Sequence, residues 1–180
     1  MDYVLQGFGV FLGVIAGTAV TILVQWYQQK RAETQRTRNL KFELDLDIRK
    51  IDTWLEEFGR FRNATNGDSL HTYVGYFDLS RMVSYTTHAM FESGLLYKKL
   101  THEQIGRLQE IFSFFSGFGE QFLNNQLNQF KQEFERCREE NDTTEWATTT
   151  KPQVVSFLNY WEGRFREHQR ALKEIVESVH

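Results

Sequence analysis

The sequence predicts an all-α protein in which a single N-terminal transmembrane helix continues into a cytoplasmic antiparallel helical bundle. Three observations predict it. Tyr3 to Val24 is a run of 22 residues without a charge. Beyond it, apolar residues recur at helical steps of three and four rather than in alternation. One proline, Pro152, in 180 residues leaves room for long uninterrupted helices.

The first element is the uncharged run YVLQGFGVFLGVIAGTAVTILV. As a helix it covers about 33 Å at 1.5 Å per residue, against a hydrocarbon thickness of about 30 Å. A cleaved leader would need a positive start, and only Met1 and Asp2 precede the run. No Lys or Arg stands before it. Lys30, Arg31, Arg36, Arg38 and Lys41 follow, against the single acid Glu33. Positive charge stays on the cytoplasmic side, so the N-terminus is expected outside and the remaining chain inside. Trp26 and Tyr27 fall where an amphipathic ring rests at the lipid boundary. The basic residues have two readings, a topology signal and contacts to anionic headgroups. The expected organisation is 1–27 transmembrane helix, 28–39 basic juxtamembrane neck and 40–180 helical bundle.

Within the span, Gly9, Gly13 and Gly17 repeat every four residues, Ala16 lies beside them and Thr21 continues the row. Such a stripe lets a second backbone approach closely, which predicts self-association through Gly9, Gly13, Gly17 and Thr21. Gln6, Thr18, Thr21 and Gln25 are the polar groups in or beside the span. They are candidates for lining a wet lumen between subunits. In the alternative, the threonine hydroxyls bond back to their own helix and the glutamines sit at the interfaces.

Net charge of −3 and a pI near 6.0 give no sign of a nucleic-acid partner. Cys137 is alone, so no intramolecular disulfide forms, in keeping with a reducing compartment. From Trp26 to Phe58 there is neither Gly nor Pro. Leu40, Leu44, Ile48, Ile51, Leu55 and Phe58 make an apolar face, with Glu43, Asp45, Asp47, Arg49, Lys50, Asp52, Glu56 and Glu57 on the wet side. This predicts one helix running from the membrane into the bundle. Its polar section is either a solvated stalk or a neck packed against copies of itself.

NATNGDS, residues 63–69, reads as a turn, and 70–77 as a short helix or an ordered loop. Asp78 is positioned to cap a helix over 79–93 that stops at Gly94. Thr101 with Gln104 is a capping box opening a long helix to about Glu139. Its apolar positions are Leu108, Ile111, Phe112, Phe115, Phe118, Phe122, Leu127, Phe130 and Phe134, and the quartet SGFG at 116–119 bends it. Residues 141–151 are polar and uncapped until Pro152 opens the last helix. That helix carries a heptad seam, Val154, Leu158, Trp161, Phe165, His168, Leu172, Ile175 and Val179, which either mates with another chain or, as expected here, packs inside the bundle, because the other helices need a partner face.

The chain has no Walker loop, dinucleotide fingerprint, zinc-spaced Cys/His set or nucleophile elbow, so no metal and no cofactor are expected. His71, His88, His102, His168 and His180 are scattered, and His168 in the apolar seam reads as a hydrogen-bonded core histidine or a pH-sensitive contact rather than a ligand. Arg81 and His88, in RMVSYTTH, are separated by six residues. This resembles the Arg-x4–6-His signature of HEPN ribonuclease domains, where the imidazole acts as acid or base and the guanidinium holds the phosphate. On one helix, a seven-residue separation would put both on one face, where each could equally pair with acids.

With the glycine row and this pair, the layout resembles the small membrane accessory proteins of type VI-B CRISPR systems. The resemblance implies a four-helix, HEPN-like bundle and a ring-shaped pore in the bacterial inner membrane. It also implies membrane perturbation in support of an RNA-guided nuclease during phage infection. The HEPN-like pair need not be a working active site there, and no enzymatic activity is expected. Expected partners are membrane lipid, further copies of the chain and a functional link to an RNA-guided ribonuclease, without direct nucleic-acid binding. The alternatives are an anchored helical adaptor without conduction and an anchored ribonuclease using Arg81 and His88.

Overall fold

The computed structural model describes the backbone of residues 2–179 and the side chains of residues 13–179. Helix α1 (Asp2–Asn66) is 65 residues long and runs unbroken from Trp26 to Phe58, where the absence of Gly and Pro predicts one helix. Two 3₁₀ turns follow, Leu70–Thr72 and Leu79–Arg81. After them come α2 (Tyr85–Glu92), α3 (Leu96–Lys99), α4 (His102–Phe114), α5 (Gly117–Glu139) and α6 (Thr143–Glu145). A π-helical turn, Trp146–Thr150, leads into α7 (Lys151–Ser178). Among the described residues there is no strand, so the fold class is all-α. The chain divides into two compact units, Met1–Leu40 and Lys41–His180.

In the first unit, every described side chain from Gly13 to Ala32 is exposed. They include Val14, Ile15, Val20, Ile22, Leu23, Val24, Trp26 and Tyr27. Among the described residues no helix is long and apolar enough to cross a membrane. The expected span starts at Tyr3, and its residues 3–12 have side chains outside those described.

The second unit is organised around α7. All eight seam positions are buried, so the seam packs within the unit. Phe165 is the hub: its ring meets Trp54 and Phe58 of α1, Phe114 of α4 and Phe115, at centroid distances of 4.8 to 5.8 Å. Tilted and edge-to-face aromatic pairs of this kind add to the area term of burial. Phe58, Phe61, Phe77, Phe115, Phe130, Phe134 and Phe165 are buried in this unit, whereas Phe118 and Phe122 of α5 face solvent rather than the core.

Several sequence expectations are corrected. Glu43 and Asp47 are buried rather than wet, and Trp54 is buried where Leu55 is only half-buried. α1 continues through Asn66, where Gly67 N–H closes on the Asn63 carbonyl at 2.9 Å and Asp68 takes φ 50°. Residues 79–93 are not one helix, because 82–84 are non-helical. The long helix from Thr101 is broken rather than bent, with α4 ending at Phe114 and α5 opening at Gly117. The break brings the Phe114 carbonyl so close to Gly119 that a Cβ there would overlap it. Residues 143–150 are helical, because the Asp142 carboxylate caps them by accepting from Glu145 N–H at 2.9 Å. Gly94 terminates α2 at φ +70°, and both halves of the Thr101–Gln104 capping box are present, at 3.0 and 3.2 Å.

Candidate functional site

Residues 73–84 hold little regular structure, so their backbone groups need partners from elsewhere. Side chains of α1 and α5 supply them. From α5, Lys131 Nζ donates to the Tyr73 carbonyl at 2.6 Å. The Asn124 side chain brackets Phe77, accepting from its N–H at 2.9 Å and donating to its carbonyl at 2.7 Å. Glu120 accepts from Ser80 N–H and the Tyr76 hydroxyl, both at 2.7 Å. Burial works against ionisation of Glu120, but these donors outweigh it and hold the carboxyl below its usual range.

From α1, Glu43, Asp47 and Lys50 hold the far end of this strap, residues 73–84, and the start of α2. Asp47 Oδ1 accepts from Val83 N–H at 2.8 Å. Glu43 accepts from Thr86 N–H at 2.7 Å, Thr87 N–H at 3.0 Å and the Thr87 hydroxyl at 2.6 Å. Lys50 Nζ donates to the Arg81 carbonyl and lies 4.0 Å from Asp47. Glu43 thus caps α2 from a separate helix, satisfying the Thr86 and Thr87 N–H groups that its own Ser84 leaves without a side-chain acceptor, while Asp47 holds the Val83 N–H just before it. Asp47 is fully buried and its Oδ2 has no partner. Burial pushes its carboxyl up to about 7, against the opposing pull of the Val83 N–H and Lys50, while Glu43 pushes the same way as burial. Composition hid this pair among the wet residues. The spacing Glu43-x3-Asp47 directly beside Leu44-x3-Ile48 was the available signal, since it puts two acids along the edge of the apolar face.

The strap carries Arg81 into one element and His88 into another. Arg81 ends a 3₁₀ turn and its exposed guanidinium pairs with Asp78. His88 lies on α2, exposed, and lines an apolar recess of about 260 Å³ together with Phe91, Leu96, Ile105, Leu108 and Phe112. The common helical face that a seven-residue separation would give does not exist. The Thr87 hydroxyl beside His88 is already committed to Glu43.

Elsewhere, Glu133, Cys137 and Glu145 bring ligand atoms within 4.8 Å of one another. Arg136 occupies the carboxylates, reaching Glu133 at 2.5 Å, Glu140 at 2.6 Å and Glu145 at 2.8 Å. Burial raises the Cys137 thiol, so it stays protonated. His168 is buried in the core against the rings of Phe114 and Phe115 at 4.5 and 5.7 Å, but its Nε2 makes no hydrogen bond.

In the first unit, Gly13 and Gly17 have open space where a side chain would be. Thr18 donates to the Val14 carbonyl at 2.8 Å and Thr21 to that of Gly17 at 2.9 Å, so both hydroxyls are satisfied within the helix. Gln25 is exposed, and the surroundings of Gln6 and Gly9, which lie within α1, are outside what is described. Lys30, Arg31, Arg36 and Arg38 are exposed; in the second unit Lys41 is half-buried. No family model, curated protein or solved structure matches the chain, and its functional reading rests on its own residues.

Proposed function

We propose that this is a homo-oligomeric inner-membrane protein. The first helix crosses the bilayer, copies meet along the Gly9, Gly13 and Gly17 row, and four-helix, HEPN-like bundles form a collar around a pore-like assembly. The observation that carries the reading is the first unit: an uncharged run in the sequence whose described side chains are exposed on every side. Burying a large apolar side chain is worth roughly 1.5–3 kcal/mol, so eight left in water represent a cost that lipid or neighbouring copies remove. The open positions at Gly13 and Gly17 give a neighbouring backbone room to approach. In the setting that the resemblance implies, the assembly is an antiphage-defence accessory that perturbs the membrane downstream of an RNA-guided nuclease, with no catalysis of its own.

The self-bonded Thr18 and Thr21 hydroxyls favour a second reading, a membrane-anchored adaptor without conduction, because they make no demand on a wet lumen. One experiment separates the readings. The full chain is reconstituted, and its oligomer size and ion flux are measured for wild type and Gly13→Leu. A wild-type ring with flux, both lost in the variant, supports the pore. A ring without flux supports the adaptor, and a monomer insensitive to the substitution overturns self-association.

A further inference from the structure

We propose that Lys30 and Arg31 of α1 seat the phosphate of an anionic phospholipid headgroup. The inference rests on the membrane reading above and names the lipid class it engages. At 100° per residue, Tyr27, Lys30, Arg31, Thr34 and Arg38 fall within an arc of roughly 100° on the helix. Glu33, the one acid between Trp26 and Leu40, falls on the flank of that arc, and Arg36 on the far side. Tyr27, Lys30, Arg31, Thr34 and Gln35 line a shallow concavity of about 320 Å³. Lys30 Nζ lies 5.1 Å from the Trp26 ring centroid, which draws the ammonium toward the membrane side of the neck.

Depth selects the lipid phosphate as occupant. The continuous apolar run ends at Val24, before Gln25. Lys30 and Arg31 then lie roughly 9–10 Å further along the axis, where the headgroup layer is about 5–8 Å thick. Helical side chains lean toward the N-terminus, so both cations reach back to the phosphate level. Trp26 and Tyr27, roughly 3–5 Å beyond Val24, sit at the boundary beneath them. Arg38, about 21 Å beyond, lies past the headgroups. The Thr34 hydroxyl and Gln35 amide are committed to Lys30 O at 2.9 Å and to Asn39 at 2.9 Å, so the two cations carry the recognition. A phosphatidylglycerol-type monoanion matches them, and a zwitterionic headgroup brings its own compensating cation.

The test reconstitutes the full chain into bilayers of phosphatidylcholine with a fixed minor fraction of phosphatidylglycerol. The protein is extracted in mild detergent and the co-purifying lipids are quantified. Wild type is expected to enrich phosphatidylglycerol about tenfold over the bulk ratio. The Lys30→Gln/Arg31→Gln double variant is expected to incorporate normally and return to that ratio, while Arg36→Gln keeps the enrichment. A bulk ratio for wild type, retained enrichment in the double variant, or equal loss in Arg36→Gln overturns the seat and leaves the membrane reading standing. Displacement of the lipid by inorganic phosphate at constant ionic strength overturns the lipid assignment. Failure to incorporate into any bilayer overturns the membrane reading, and this inference with it.

Discussion

Asp47 accepts a hydrogen bond from Val83 N–H through Oδ1 at 2.8 Å, while its Oδ2, equally buried, has no partner. One half of the carboxylate stabilises the strap before α2 and the other half only pays desolvation.

A pH dependence follows. Asp47 titrates near 7 in the folded protein and near 3.8 when unfolded. Between those values the folded state binds the extra proton, so stability contributed at this site is greatest at low pH and falls as pH rises toward 7. A shift of this size is worth up to about 4 kcal/mol. Asp47→Asn keeps the Oδ1 acceptor and removes the titration. Thermal unfolding of the full chain in detergent from pH 4.5 to 8 is expected to show the wild type losing ground to the variant as pH rises. Parallel curves would refute the assignment.

His168 has the opposite sign. Burial, aided by Arg164, lowers its pKa, with Glu110 and Glu167 opposing, and its Nε2 has no partner. A histidine buried neutral supports the fold above its unfolded pKa of about 6.5, and that support is lost as pH falls through the folded value. His168→Phe, which can keep the ring contacts to Phe114 and Phe115, is expected to unfold at a higher temperature than wild type at acid pH, by a margin that grows as pH falls. At pH 8 the two should agree closely. A variant with the wild-type acid sensitivity would rule His168 out as its source.

The α4–α5 break makes Gly119 and Gly106 unequal. A methyl group at Gly119 overlaps the Phe114 carbonyl, whereas one at Gly106 meets nothing within 4 Å. Gly119→Ala is expected to lower the unfolding free energy by roughly 1–3 kcal/mol, and Gly106→Ala to raise it by roughly 0.5–1 kcal/mol. Denaturant midpoints of the two variants check the contrast, and equal shifts would mean that the corner relaxes freely.

What the residues determined alone is what depends on neighbours three and four positions away. The seam of α7, the uninterrupted run of α1, the Thr101–Gln104 box and the stop at Gly94 are local patterns whose hydrogen bonds and buried faces close within one or two turns. What only the tertiary structure decided lies between Gly67 and Tyr85. There Asp47 reaches the Val83 amide, and just beyond it Glu43 reaches those of Thr86 and Thr87 at the start of α2, which divides Arg81 from His88. A carboxylate that will be buried against a distant N–H has the same composition as one facing water. Periodicity shows which helix face is apolar, but the partner that satisfies a polar group at its edge is chosen only when separate helices meet.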